Sequence, residues 1–268
     1  MSSSCKYVAV AMSALLLCSV AKADIRDTIQ NAKSGTTVQC SGSYTVSKIV
    51  VPSGVTVKGP ATFNFNSSSN DGFSISGSSV TLQSLTIKAA KHGVYCKGSS
   101  CKFTSLTTTG NHDTGIDLDG ASSCTVSSCT SYDNADSSGG NADGFGVKDG
   151  CGSGISFSGC IAYSDSDDGF DFYGANGVVT VSSCQAYSNG SYNGKTGNGD
   201  GFKMGGSYNQ AHKYTSCTAH NNTAGSTARG FDTNHNTAKI ALSSCHSYSN
   251  KNKDVLGNCT LSNCTMQQ

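Results

Sequence analysis

The chain has 268 residues, 18 basic against 17 acidic, and only 13% of them are charged. That balance excludes a broadly basic binder of nucleic acid and leaves room only for local charged sites. Every acidic residue is Asp, Trp is absent, and 32 Gly accompany 2 Pro, which disfavours helices and suits short strands joined by many turns.

The first 23 residues, "MSSSCKYVAVAMSALLLCSVAKA", read as a secretory leader: an early Lys6, an apolar run from Tyr7 to Val20, and a small-x-small cleavage site at Ala21-Lys22-Ala23. The run is too short to span a bilayer and no later segment is more apolar, so no membrane span is expected. Without Lys6 and Lys22 the secreted chain carries 16 basic and 17 acidic residues, and residues 24–268 are expected to form one domain. Next comes "DIRDTIQNAKSG", where Ile25, Ile29 and Ala32 share a helical face and Gly35 suits a C-terminal cap. A short helix lying over the first coil would cover an otherwise open edge.

From residue 81 onward the chain repeats. An apolar-x-small-Cys/Leu unit ends in turn at Leu85, Leu106, Cys129, Cys160, Cys184, Cys217, Cys245 and Cys264, at intervals of 19 to 33 residues. A second mark follows most units: "HGVY", "TGID", "DGFG", "DGFD", "DGFK" and "RGFD", centred on Val94, Ile116, Phe145, Phe170, Phe202 and Phe231. Two apolar marks per turn with variable polar insertions predict an all-β, single-stranded parallel β-helix whose stacked coils share one core. At about 4.8 Å per coil, Phe145, Phe170, Phe202 and Phe231 fall in one interior column.

Twelve cysteines follow the leader, where an oxidising compartment favours disulfides. Those in the repeat slot alternate with Leu, so buried thiols and disulfides stand equally there; Cys40, Cys96, Cys101, Cys124, Cys151 and Cys259 lie off that column and are the expected disulfide partners. No C-x-x-C pair suggests zinc. Sequons at Asn66, Asn189, Asn221, Asn258 and Asn263 are compatible with a eukaryotic secretory route. His212, His220 and His235 are expected on surface loops.

The stretch "SDSDDGFDFYG" crowds Asp165, Asp167, Asp168 and Asp171 into seven positions. Two such charges ~5 Å apart repel by roughly 3 kcal/mol at an effective dielectric of ~20, so the segment needs full solvation or a cation. Aligned on the Phe column, the residue two before it reads Asp143, Asp168, Asp200, Arg229, and the residue after it reads Gly146, Asp171, Lys203, Asp232. With Phe pointing inward, alternation turns these outward. Asp143 on one coil and Asp167, Asp168 and Asp171 on the next can then converge, and clustered hard oxygen donors suit Ca²⁺. Lys203 stacks one coil above Asp171. Arg229 is placed either to clamp a substrate carboxylate or to pair with Asp200 or Asp232; Lys148 and Tyr173 are candidate substrate contacts.

"NADGFGVKDG", "DSDDGFDFYG" and "GNGDGFKMGG", in this order, resemble the motifs of the polysaccharide lyase family 9 pectate lyases, secreted right-handed parallel β-helices. The likeness covers roughly residues 141–250. It implies a calcium ion held by Asp143, Asp167, Asp168 and Asp171, a catalytic base at Lys203, and β-elimination of 1,4-linked galacturonan by a secreted monomer. Members of this family usually carry Asn where this chain has Asp200, a carboxylate that would bind metal, orient Lys203 or raise its pKa. The competing readings are a polygalacturonase-type hydrolase, which would need paired carboxylates around a water, another uronan lyase or epimerase, and a non-catalytic wall-binding or ice-binding β-helix.

Overall fold

The computed structural model describes residues 15–17 and 25–267, and over them the chain winds as a parallel β-helix. One column of nine short strands runs from Ile49–Val50 through Phe145–Lys148, Phe170–Asp171 and Phe202–Lys203 to Val255–Leu256. Two further columns run from Lys102–Thr104 to Cys259–Ser262 and from Thr107–Thr109 to Thr265–Met266. In the early coils the long strands Thr56–Asn64 and Thr81–Lys88 serve both. Among the described residues every strand pairing is parallel except the small hairpin Ser191–Tyr192 with Lys195–Thr196.

The small residue of the repeat unit makes the corner between these two columns. Ser105, Ser128, Gly159, Ser183, Ser216, Ser244 and Asn263 all take a left-handed conformation, with φ between 52° and 60°. A serine there sacrifices some backbone energy, but the corner stays paired: Ser105 N–H donates to Ser127 O and Ser128 N–H to Ser158 O, coil after coil. The following Cys or Leu turns inward, and Leu106, Cys129, Cys160, Cys184, Cys217 and Cys245 are all buried.

Phe145, Phe170, Phe202 and Phe231 form the expected interior column, with ring centroids 4.7, 4.7 and 4.9 Å apart. Each ring is fully buried, which contributes about 1.5–3 kcal/mol per side chain before stacking is counted. A second interior column escaped the sequence reading. Asn111, Asn134, Asp165, Asn189, Asn222 and Asn250 stack in register; each after Asn111 accepts the backbone N–H of its counterpart one coil below at 3.1 Å, and Asn111 accepts that of Ala90 at 3.2 Å. Asn189, one of the sequon asparagines, is thereby buried. Outside the same corner, Tyr132, Tyr163, Tyr187, His220 and Tyr248 stack face to face along the surface, with neighbouring centroids 4.8 to 5.1 Å apart.

The expected cap is present as the helix Ile25–Gln30, which buries Ile25 and Ile29. The expected leader lies outside the described residues except for Leu15–Leu17, whose backbone pairs in parallel with Thr37–Gln39. Two expectations are corrected. Cys96, Cys101, Cys124, Cys151 and Cys259 are free thiols rather than disulfide partners; in-register neighbours such as Cys101 and Cys124 point along parallel vectors about one coil apart, whereas a disulfide needs Cβ atoms ~3.5–4.5 Å apart. Neither His212 nor His220 is on a surface loop: His212 is buried, and its Nδ1 accepts the Val179 N–H at 3.1 Å, while His220 ends the strand Thr218–His220, partly buried and in register with Tyr187. No helix of the described residues is long and apolar enough to cross a membrane.

Candidate metal and catalytic site

The nine-strand column carries the candidate chemistry on its outer face. In-register pairing of Phe145-Gly146, Phe170-Asp171, Phe202-Lys203 and Phe231-Asp232 places Gly146, Asp171, Lys203 and Asp232 in one outward row. The row of Asp143, Asp168, Asp200 and Arg229 stands beside it and is fixed by the backbone. Asp143 Oδ1 accepts the N–H of Asp168 at 3.1 Å, Asp168 Oδ1 that of Asp200 at 2.7 Å, and Asp200 Oδ1 that of Arg229 at 2.8 Å. Each aspartate thus holds the coil above with one oxygen, and that charge-assisted bond orients the other.

Asp171 is held differently, by a local turn in which its Oδ1 accepts the Tyr173 N–H on its own coil at 2.8 Å. The remaining ligand oxygens converge: Asp143, Asp168 and Asp171 each offer one within 4.8 Å of the others. Asp167, the fourth aspartate expected there, is not one of the three whose oxygens converge; it is buried beside Asp168 in sequence, with its Oδ1 accepting the N–H of Asn198. Two amines complete the cluster. Lys203 Nζ lies 3.1 Å from Asp168 Oδ2 and 3.3 Å from Asp171 Oδ2. Lys148 Nζ lies 3.1 Å from Asp143 Oδ2 and donates a short hydrogen bond to Asp171 Oδ2.

These groups are almost entirely removed from water, and their proton affinities follow. Burial pushes the Asp143 and Asp168 carboxyls well above the usual range. Burial also pushes on Asp171, but Lys148 and Lys203 outweigh it and hold that carboxyl below its ordinary value. Desolvation pulls on Lys203 in the opposite sense, yet the carboxylates of Asp168, Asp171, Asp143 and Asp167 prevail and keep its proton on. Fully ionised, the four carboxylates and two ammonium groups would carry a formal charge of −2, and one divalent cation would offset it and hold the buried carboxyls in their charged form. Asp168 Oδ2, buried and held by the Lys203 ammonium alone, is a hard donor of the kind Ca²⁺ or Mg²⁺ takes. The residues present therefore fit the expected ion.

The other candidates divide by position. Tyr173 is half exposed, with Lys203 Nζ 6.0 Å from its ring centre. Arg229 pairs with Asp232, one of the two ionic partners considered for it. Asp200 is buried; beside the Arg229 N–H, its Oδ1 accepts the Thr227 hydroxyl at 2.8 Å, and burial pushes its carboxyl up to about 6. A groove of about 490 Å³ leads away from the cluster, lined by Lys148, Asp171, Tyr173 and Lys203 at one end and His92, Tyr95 and Asp117 at the other. Sequence reasoning missed this far end. A larger cavity of about 720 Å³ sits at the last coil, remote from the aspartate–lysine cluster. The buried thiols of Cys96, Cys101 and Cys124 also lie within 4.8 Å of one another, a soft donor set inside the core.

Comparison with known proteins agrees with this architecture. The family described as "Pel9A-like, right handed beta helix region" matches residues 18–263. Pectate lyase L of Thermoclostridium stercorarium is 43% identical over 121 residues, covering 42% of this chain and 9% of that protein. Pectate lyase L of Dickeya chrysanthemi is 38% identical over 140 residues, covering 49% of this chain and 32% of that protein. The chain therefore spans a third or less of the length of these curated relatives. The crystal structure of pectate lyase Pel9A superposes with a TM-score of 0.78 at 26% identity, over 90% of this chain and 72% of that one.

Proposed function

We propose, for a chain that belongs to the Pel9A-like right-handed β-helix family, that it is a calcium-dependent pectate lyase cleaving 1,4-linked galacturonan by β-elimination. The reading is carried by one observation: the Oδ2 oxygens of Asp168 and Asp171, two of three carboxylates that converge within 4.8 Å, share the Lys203 ammonium at 3.1 and 3.3 Å. The names of the matched relatives support the substrate class. Secretion, action as a monomer and polygalacturonate as partner belong to the same proposal.

In this scheme Asp143, Asp167, Asp168 and Asp171 hold the ion, which when bound supplies positive charge opposite a substrate carboxylate. Lys203 takes the C5 proton of a galacturonate unit. The C5 electron pair becomes the C4–C5 double bond, and the C4–O4 bond breaks, leaving an unsaturated sugar. A lysine accepts a proton only after losing its own. The charges that retain the Lys203 proton are those of Asp168 and Asp171, so neutralising these carboxylates lowers its pKa toward the working range. Tyr173 stands beside the amine, where its ring can face the sugar.

The test is cleavage of polygalacturonate followed by the ultraviolet absorbance of the new conjugated double bond. Wild type should be active with calcium and inactive after exhaustive chelation. Lys203→Ala should lose ~10²-fold or more while still binding calcium. Activity that persists without the ion, or in Lys203→Ala, would overturn the scheme. Reducing ends released without that absorbance would indicate a hydrolase instead.

A further inference from the structure

We infer that Lys148 is a built-in counter-ion with two berths, and that it leaves Asp143 and Asp171 for Asp117 when a divalent cation enters the carboxylate cluster. This inference rests on the metal site of the proposed function and concerns a residue that the scheme leaves without a task. Lys148, not Lys203, ties the two coils of the cluster together: its amine lies 3.1 Å from Asp143 Oδ2 on its own coil and bonds to Asp171 Oδ2 on the next. A cation liganded by those same two oxygens and this ammonium cannot occupy one place.

The fold gives the lysine a track. Lys148 starts two residues beyond Gly146 on the strand Phe145–Lys148, and its side chain crosses the outward face of that glycine. A Cβ at position 146 would lie 3.3 Å from Lys148 Cε and 2.8 Å from Asp117 Oδ1. A side chain there would crowd both groups. Asp117 is the register partner of Gly146 one coil below, so the same gap opens onto it from the opposite side.

Asp117 has the features of a vacant berth. It is 6% exposed, and its Oδ1 is buried without a hydrogen-bond partner. Its other oxygen lies 3.6 Å from His92 Nε2. An unsatisfied buried carboxylate oxygen costs stability as it stands, and a cation reaching it would recover that cost. Lys148 is also the more accessible of the two amines: its side chain is 25% exposed on the groove wall, against 10% for Lys203. The move carries an ammonium from one end of the groove toward the other and clears the two oxygens.

Calcium affinity measured calorimetrically without substrate tests this, on wild type, Lys148→Met, Asp117→Asn and the double variant. Lys148→Met should tighten binding by about tenfold, because no resident cation has to leave. Asp117→Asn should weaken it several-fold in wild type, because the second berth is lost. In the Lys148→Met background Asp117→Asn should then have almost no effect. Equal Asp117→Asn factors in both backgrounds would mean a simple field effect and overturn the inference while leaving the metal site intact; no calcium binding by wild type would overturn both. If Lys148→Met does not fold, acylation of Lys148 in wild type, read by mass spectrometry, decides. Its rate should change when calcium is added while that of exposed Lys97 does not, and an unchanged Lys148 rate overturns the exchange.

Discussion

Asp165 stands in an interior column otherwise made of asparagines, and it is the one member that does not fit. The backbone N–H and the side-chain amide of Asn134 both donate to its Oδ1, at 3.1 and 2.7 Å, and its own N–H donates to Asn189 Oδ1 at 3.1 Å. Its Oδ2 is buried without a hydrogen-bond partner, whereas the Asn189 amide nitrogen on the next coil donates to Asn222 Oδ1 at 3.2 Å. Asp165→Asn should restore that donor and stabilise the fold by about 1–3 kcal/mol, seen as a melting temperature a few degrees higher. A lower melting temperature would mean that Oδ2 has a use the column does not reveal. This ladder was open to detection in the sequence, since each member lies five residues beyond the slot residue, from Leu106 with Asn111 to Cys245 with Asn250. Stacking on apolar marks alone passed over it, and left Asp165 grouped with the aspartates two and three residues later.

At the scale of the element, the loop entering the strand Val94–Cys96 sets His92 among three carboxylates from the coils below and above it. Its Nδ1 lies 2.8 Å from Asp71, its Nε2 lies 3.4 Å from Asp113 and 3.6 Å from Asp117, and its ring stacks on Tyr95. Burial pulls its pKa down, but Asp113, Asp71 and Asp117 outweigh that and raise it to about 9. The ordinary value is 6.5, so folding takes up protons between the two. The stabilisation is complete below about pH 6.5 and disappears as pH rises through about 9. Wild type should lose on the order of 2 kcal/mol across that window, after allowance for solvent screening, and His92→Gln should flatten the dependence in thermal melts taken at several pH values. An identical slope in the variant would remove His92 as its cause. The cluster shows where legibility ended. Phe and Gly-Phe marks fixed the outward rows, so Asp143, Asp168, Asp171 and Lys203 could be placed from spacing. Which oxygen each aspartate gives to a neighbouring N–H, and that Gly146 opens a path for Lys148, depend on in-register backbone pairing and on an absent side chain. His212 and the free thiols were misplaced for the same reason: their surroundings come from other coils.

For the molecule as a whole, stability runs along one axis. Every coil packs on a neighbour below and a neighbour above, except at the ends, so resistance to local opening should follow position in the stack. The site occupies the coils from Asp143 to Asp232, which are enclosed on both sides by Ile116–Asp119 and Val255–Leu256. There the backbone N–H groups of Asp168 and Asp200 are bonded to buried carboxylates, and the Phe column beneath is fully buried. The last coil has no such cover: Cys259–Ser262 is largely exposed, with Leu261 48% accessible. Hydrogen exchange followed by mass spectrometry should therefore find the amides of 168–172 and 200–204 among the slowest, and those of 259–266 faster by orders of magnitude at neutral pH. Rigidity here bears on function because convergent carboxylates are useful only if the strands bearing them hold their spacing without the ion. Chelation should leave the slow class of amides slow, since backbone bonds rather than the metal fix the Oδ1 atoms. If removing calcium instead releases 168–172 to the rate of the final coil, the cluster is assembled by the ion, and preorganisation by the stack is wrong.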